Sequence, residues 1–504
     1  MKKNNVLMLV RNNISRDARV LKTANSLQKK GYQVDLFGVI EKNSDLHDEL
    51  LPNGVNIKRV PFRYYTYLYL SIFYAFALFT SIIFILRYFL IIPDTSTILA
   101  NLLTLNYSYL FDVGKNLIPS SLEFFKLHII EILLSFSIIY VLFNGLRRNL
   151  KFLSNYKALE GVSGSQGALK KSIYNIYNIY NINNLLESKR IFKVLMASFS
   201  YKSSLLKNFK KNGFKYAYIH CHDISTLPVG LQLKENFKDT RLIYDAHELY
   251  EEAVGVEGPL KYIYKKIHRD AQSFIDGFIT ISDDFSRIYK ERYPKLPEPT
   301  VVMNATKFKT LKKYDGRLHL ACGIDKNKKI ILFQGGFTLH RGIERMLQVV
   351  EYLSDDYCFV FMGWGNREKL IKRVSKKNKG KVFILPPAPQ DELINWTSGG
   401  FIGVIPYEQH GMNHTYCTPN KLWEFPAAHV PIFAAPRVQL KKIVESNNIG
   451  WIYEERHGPY TLANEIMSFS RKRKSKVDSC KKFTKVDSWE KYEKDLYKLY
   501  QSLA

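Results

Sequence analysis

The chain has 504 residues, 46% hydrophobic and 14% aromatic, enough apolar side chain for two cores plus an insertion, which excludes wholesale disorder and a small cross-linked scaffold. Lys and Arg number 74 against 46 Asp and Glu, a formal charge of +28, which favours an anionic partner: a phosphorylated small molecule, nucleic acid or an anionic membrane face. The five cysteines (Cys221, Cys322, Cys358, Cys417, Cys480) are odd in number and never form C-x-x-C, so neither a disulfide framework nor a zinc site is indicated and a reducing cytosol is the expected compartment. Only about five apolar residues precede Arg11, too few for a signal peptide, so the chain is expected to begin in the cytoplasm.

Val6 to Val10 reads as a buried strand. A helix follows with Ala18, Leu21, Ala24 and Leu27 on one face, stops at Gly31, and gives way to a second strand from Tyr32 to Ile40. This is one βαβ unit whose strand-to-helix loop is Arg11 to Ser15. The same alternation resumes with strands predicted at Tyr216 to His220, Arg241 to Tyr244 and Gly277 to Ile281.

Between the two parts lie Tyr64 to Leu86, 23 residues without a formal charge, and Leu127 to Leu146, which carries Glu131 alone. Lys58, Arg59 and Arg63 precede these runs and Arg147, Arg148 and Lys151 follow them. Two crossings, or two helices dipping into one leaflet, would therefore leave both outer ends in the cytoplasm. Core helices of an inserted soluble subdomain are the alternative. A linker, Gly161 to Gly167, and a low-complexity Tyr-Asn-Ile repeat, Ser172 to Asn184, complete the interruption.

A second alternation begins near Lys328. Strands are predicted at Ile330 to Phe333, Cys358 to Met362, Val382 to Leu385, Phe401 to Ile405, Val430 to Ala435 and Trp451 to Glu454. Helices are predicted at Gly342 to Leu353, Glu368 to Lys377, near Asn420 to Ala428, and at Leu440 to Asn447. The chain closes with a basic stretch, Arg471 to Lys482, and a helical tail, Trp489 to Leu503. The fold class is thus α/β, with two Rossmann-like doubly wound domains facing a cleft and a hydrophobic helical insertion in the first. Residues 1–56 and 190–315 form the first domain, 57–189 the insertion and linker, and 316–474 the second domain, with the tail 475–504 packing back on the first.

Neither G-x-G-x-x-G nor a Walker A loop occurs, which argues against a dinucleotide oxidoreductase or a P-loop ATPase. The anion-binding candidate is Gln334 to Gly342, where Gly335 and Gly336 allow close backbone approach and Arg341 adds a bidentate cation; an ordinary Gly-rich turn fits the same spacing. In Thr418 to Glu424, Asn420 and Lys421 suit an anion and Glu424 suits hydroxyl donors such as a ribose, whereas a surface i,i+3 ion pair is the plainer reading. His220-Cys221-His222-Asp223 and Tyr244-Asp245-Ala246-His247-Glu248 put polar groups at strand ends. The H-x-H pair points both imidazoles to one face without a clear third ligand, so substrate hydrogen bonding is favoured over metal, and a core role remains open for His220. In the first helix Asp17 suits the N-terminal field, and Arg19 and Lys22 either meet an anionic acceptor or are solvated.

Taken together these motifs resemble the retaining GT-B glycosyltransferases of family four, the glycosyl transferases group 1. The resemblance is carried by Asp17 to Val20 with Lys22, Ala24 and Leu27-x-x-x-Gly31; by His220 to Asp223; by Tyr244 to Leu249; by Gly335-Gly336 to Arg341-Gly342; and by Pro419 to Phe425. It implies a nucleotide-sugar co-substrate on the second domain and an acceptor on the first. Glu424 would bind the donor ribose. Arg341, Lys421 and the Gly335-Gly336 backbone would neutralise the diphosphate, with Asn420 beside them, and His222 would sit near the transferred sugar. The catalytic set implied is His222, Arg341 and Lys421, with Asp17, Arg19, Asp223, Asp245, His247 and Glu248 on the acceptor side. Transfer would be of a hexosyl or N-acetylhexosaminyl unit, with retention and no metal cofactor.

Tyr416 stands where that family commonly has a second Glu, eight positions before Glu424, and His429 where an A-A-G-like turn is usual. The expected acceptor is lipid-linked or polysaccharide-type, at the cytoplasmic face of the cell membrane, with residues 64–146 meeting the anionic surface and no nucleic-acid partner. A sugar-nucleotide epimerase of the same fold and a non-catalytic membrane-associated sugar-nucleotide binder are the alternatives.

Overall fold

The computed structural model describes residues 4–15, 17–40, 48–61, 201–209 and 213–504. The hydrophobic runs at 64–86 and 127–146, the linker and the Tyr-Asn-Ile repeat lie outside the described residues. Among the described residues, no helix is long and apolar enough to cross a membrane.

In chain order the first domain contains β1 (Asn5–Leu9), α1 (Ala18–Lys29), β2 (Gln33–Ile40), β3 (Glu49–Leu50), β4 (Asn56–Pro61), β5 (Tyr218–His222), α2 (Leu227–Asn236), β6 (Arg241–Ala246), α3 (Gly258–Ala271), β7 (Gly277–Thr280), α4 (Asp283–Arg292) and β8 (Pro299–Val301). These strands form one sheet in the order β3-β4-β2-β1-β5-β6-β7-β8, parallel except for the β3–β4 pair. The apolar runs are continuous because β1, β5 and β7 are buried on both faces, as a helix-covered parallel sheet requires. α1 buries Val20, Ala24 and Leu27, with Thr23 beside them, whereas Ala18 and Leu21 are half-exposed; the buried stripe is rotated from the expected one.

β4 corrects the boundary at 56. Ile57 and Val60 are buried, and β4 pairs with β2 from Asp35↔Asn56 to Ile40↔Pro61, so the interruption starts after Pro61. Lys58 and Arg59, read from the sequence as the flank of the first hydrophobic run, lie within β4. The Arg59 guanidinium is buried, with Nη2 2.8 Å from Glu49 Oε1 and Nε donating to Asn13 O at 3.1 Å, and Lys58 Nζ lies 3.8 Å from Asp35.

The second domain contains α5 (Arg317–Cys322), β9 (Lys329–Gly336), α6 (Ile343–Val349), β10 (Tyr357–Trp364), α7 (Glu368–Lys377), β11 (Val382–Leu385), α8 (Leu393–Thr397), β12 (Ile402–Ile405), α9 (Gly411–Thr415), α10 (Lys421–Ala427), β13 (Ile432–Ala434), α11 (Val438–Ser446), β14 (Gly450–Ile452) and α12 (Pro459–Ser468). Its six strands run β11-β10-β9-β12-β13-β14, all parallel. The chain ends in α13 (Arg473–Val486) and α14 (Trp489–Ser502).

The tail divides between the domains. α13 stays on the second, where Cys480 Sγ lies 3.8 Å from Val430 O and 3.6 Å from Ile449 O. Only from Trp489 does the chain return to the first, with Trp489 Nε1 donating to Ser26 Oγ at 2.8 Å. The tail expected to pack on the first domain from residue 475 therefore does so only through α14. Asp487 Oδ1 holds the crossover, accepting from Trp423 Nε1 of α10 at 2.9 Å and from Tyr492 OH of α14 at 2.7 Å.

Candidate functional site

The carboxyl ends of both sheets open into one cleft of about 1490 Å³. Asp17, Arg19, His247 and Glu248 line it from the first domain; Gly335, Gly336, Arg341, Asn420, Lys421 and Glu424 line it from the second. His222, Asp223 and Asp245 stand behind that wall.

On the second domain β9 continues past the expected end at Phe333 and pairs with β10 as far as Gly336↔Trp364, so the glycine pair is the end of a strand. Gly335 has φ +109°, and a Cβ there would stand 3.1 Å from Lys421 Nζ, so glycine brings that ammonium against the backbone. Gly342, at φ +70°, caps α6; a Cβ would lie 1.8 Å from Pro406 O. α6 ends at Val349 and a 3-10 turn, Val350–Tyr352, completes the stretch expected as one helix.

Arg341 and Lys421 converge on Tyr407. The guanidinium carbon lies 4.2 Å from the ring centroid, and Lys421 Nζ lies 3.0 Å from the hydroxyl. Glu424 Oε2 accepts from Gln334 Nε2 at 2.7 Å, and Gln334 Oε1 accepts from Thr397 Oγ1 at 2.8 Å. Lys421 and Glu424 thus turn to different partners instead of forming the i,i+3 pair their spacing allows. Burial pushes the Glu424 carboxyl up from its ordinary value, against Lys421 and Gln334, which favour the carboxylate. Asn420 Oδ1 accepts from Asn304 Nδ2 of the first domain at 2.7 Å.

On the first domain the parallel register places His222 beside Asp245. Arg19 is buried and points inward: Nε and Nη2 meet Asp245 at 3.0 and 2.6 Å, and Nη1 donates to Val302 O at 2.6 Å. Its guanidinium is therefore fully engaged within the protein, neither solvated nor free for an acceptor. Lys22 is not solvated either; Nζ donates to Ala305 O and lies 4.9 Å from the Trp489 ring, and burial brings it down to about 7. Asp17 Oδ1 accepts from Val20 N at 3.1 Å, capping α1.

His247 bridges two carboxylates, Nδ1 lying 3.1 Å from Asp223 Oδ1 and Nε2 3.4 Å from Asp245 Oδ2. Burial opposes its charge, but the two carboxylates prevail and hold it up at about 10, so it is an imidazolium. Tyr250 OH also donates to Asp223, and burial raises the Glu248 carboxyl. His220 has a core role: Nδ1 meets Tyr500 OH at 2.8 Å and burial lowers it to about 4. β5 runs to His222, two residues past the expected end, so the H-x-H pair lies inside the sheet, its rings stacked 4.3 Å apart. The absence of a third group beside that pair is overturned, since His222 Nδ1 lies 3.3 Å from Asp245 Oδ2 and 3.4 Å from His247 Nε2.

Three residues of the site were not anticipated. Tyr407 is the platform for both cations; its place just past β12 was the available signal. Asn413 of α9 receives Leu249 N at 2.8 Å and donates to Leu249 O at 3.0 Å, fastening the second domain to the segment after Glu248. Trp364, 53% exposed in the cleft wall at the end of β10, is the third. Tyr416 follows α9, next to the cleft residue Cys417. His429 has φ +57°, the left-handed conformation that a glycine would adopt without strain.

No family model and no curated protein matches the chain. Solved structures do share its fold. Sucrose-phosphate synthase from Thermosynechococcus elongatus aligns with a TM-score of 0.60 at 12% identity over 99% of each chain. Anabaena HepE, solved with UDP and glucose, gives 0.58 at 10% identity over 99% of each chain. The N-terminal domain of Candida albicans trehalose-6-phosphate phosphatase gives 0.55 at 10% identity, covering 100% of this chain and 97% of that one. The chain therefore has the GT-B fold, two Rossmann-like domains about a cleft.

Proposed function

We propose that the chain is a retaining glycosyltransferase of the family-four type, which moves a hexosyl or N-acetylhexosaminyl unit from a nucleotide sugar to a lipid-linked or polysaccharide-type acceptor. The observation that carries this reading is the convergence of Arg341 and Lys421 on Tyr407 beside the Gly335-Gly336 backbone, with Glu424 one helical turn from Lys421. Two fixed cations beside a glycine strand end suit a diphosphate, and Glu424 suits the ribose hydroxyls. The fold shared with a protein solved with UDP and glucose supports the same donor class.

In this mechanism Arg341 and Lys421 bind the diphosphate more tightly as the sugar–oxygen bond breaks and charge grows on the leaving phosphate. That phosphate takes the proton of the acceptor hydroxyl on the same face of the sugar, which gives retention. The two side-chain cations supply the charge at the diphosphate without a bridging metal. The His247 imidazolium and Glu248 border the acceptor side. The membrane face is the proposed place of action, with residues 64–146 holding the cleft near an acceptor that stays in the bilayer.

A thermal-shift panel of nucleotide sugars with the purified full chain tests the donor class, followed by turnover of Arg341→Ala and Glu424→Ala with the best ligand. Stabilisation by one nucleotide sugar and loss of turnover in both variants are expected. Indifference to every nucleotide sugar, or wild-type kinetics in both variants, overturns the reading.

A further inference from the structure

Four potential metal-ligating side chains meet behind the acceptor wall of the cleft. The donor atoms His222 Nδ1, His247 Nε2 and Asp245 Oδ2 form a nearly equilateral triangle with edges of 3.3, 3.4 and 3.4 Å. Ligands bonded to a tetrahedral zinc-class ion at about 2.0–2.1 Å stand about 3.3–3.4 Å apart. His220 Nε2 lies 3.7 Å from the same Asp245 oxygen, on the same side of the sheet as His222. His220, His222 and Asp245 each offer a ligand atom within 4.8 Å of one another.

The outer edges of two of these rings are already tied. His247 Nδ1 is held by Asp223 at 3.1 Å and His220 Nδ1 by Tyr500 OH at 2.8 Å, the arrangement that fixes an imidazole with its other nitrogen turned to a metal. The inner nitrogen of His220 lacks such a partner: its Nε2 is buried with no hydrogen-bond partner. Four nitrogens crowd Asp245 Oδ2, one from each imidazole and Arg19 Nε at 3.0 Å, more than hydrogen bonding alone matches.

We propose that His222, Asp245 and His247, with His220 as fourth ligand, bind one divalent transition-metal ion of the zinc class. The imidazole and carboxylate donor set suits zinc or cobalt better than magnesium or calcium. Asp245 Oδ2, which accepts from Arg19 Nε at 3.0 Å, goes to the metal while Oδ1 keeps Arg19 Nη2 at 2.6 Å. His247 releases the proton on Nε2 to solvent and retains the one shared with Asp223. His247, 18% exposed by side chain, opens the way in from the cleft. The ion fastens the ends of β5 and β6 to the segment that carries Glu248. This proposal does not rest on the transferase reading, because the site lies across the cleft from the diphosphate groups.

The test uses the full chain, stripped with a chelator and dialysed against micromolar free Zn2+, with metal content measured per chain and Co2+ as a coloured probe. One tightly held Zn2+ per chain, a rise in melting temperature with Zn2+, and the intense visible absorption of four-coordinate Co2+ are expected. His247→Ala and His247→Gln, both at the partly exposed edge, lose that ion and the Zn2+-dependent rise while still melting cooperatively. Asp223→Asn weakens binding about 10- to 100-fold. His410→Ala, in the separate stack of His410 on His340 at 3.8 Å, retains one ion per chain. Absence of stoichiometric Zn2+ in the wild type, equal content in folded His247 variants, or loss of the ion in His410→Ala overturns the proposal.

Discussion

Arg341→Ala isolates the charge on which donor binding is proposed to turn. The guanidinium is fixed over Tyr407 at 4.2 Å, and Lys421 is fixed by the hydroxyl of the same ring, so neither cation must be ordered when the ligand arrives. A unit charge about 4 Å from a phosphate oxygen gains about 4 kcal/mol at an effective dielectric of about 20, before the cost of desolvation. A charge-assisted hydrogen bond nets about 1.5–3 kcal/mol. The affinity for a nucleoside diphosphate should therefore fall about 10- to 150-fold. Turnover should fall further, about 10²–10³-fold, because the leaving phosphate carries more charge in the transition state. Isothermal titration with the nucleoside and with its diphosphate separates the effects, since the nucleoside has no phosphate to lose contact with. An Arg341→Ala protein that binds the diphosphate within twofold of wild type, or loses nucleoside and diphosphate equally, would refute the assignment.

Glu424→Gln should weaken a ribonucleotide about 10-fold while leaving a 2′,3′-dideoxy analogue unchanged, which competition binding measures. Arg19→Met leaves Asp245 buried without its bidentate partner and should cost about 3–5 kcal/mol in urea denaturation. Burial opposes the Asp245 charge, but Arg19 and His247 hold its carboxyl well below the ordinary range, so its contribution is intact above that range and lost as pH falls below it. The metal-free His247 imidazolium has the opposite sign: against burial, two carboxylates raise it to about 10, so its contribution is complete below its unfolded value of 6.5 and is lost as pH climbs to about 10. His247→Ala should flatten that alkaline slope in pH-dependent melts of the chelator-stripped protein. Gly342→Ala forces a Cβ into Pro406 O at a positive φ and should destabilise the second domain by about 1–3 kcal/mol, read by denaturant titration.

The second-domain wall of the cleft was legible because its residues are consecutive. Gly335 and Gly336 end a run of apolar strand residues, and Lys421 and Glu424 are one turn apart on α10, so periodicity and glycine chemistry alone place them. The first-domain wall was legible only as fragments. His222 and Asp245 are neighbours through strand register, and Arg19 reaches Asp245 from a helix 226 positions earlier in the chain. Local spacing carries no information about a pairing closed by the sheet.

The boundary at β4 was lost for a related reason. Asn56 to Pro61 carries two adjacent charged residues, Lys58 and Arg59, which read as a flank to the run that follows until the sheet supplies Asp35 and Glu49 as their partners. The tail shows the same limit from the opposite direction. Its helical periodicity from Trp489 was plain, but its docking depends on long-range partners: Trp489 Nε1 meets Ser26 of α1, and Asp487 Oδ1 is shared by Trp423 of the second domain and Tyr492 of the returning helix. That oxygen couples the core of the helix bearing Lys421 and Glu424 to the helix whose Tyr500 steadies His220. Replacing Asp487 with Ala should therefore loosen the seam between the two domains while sparing the groups that line the cleft. Hydrogen exchange should show faster opening of α14 at unchanged protection of β9, and unchanged protection of α14 would show that the crossover is held by other contacts.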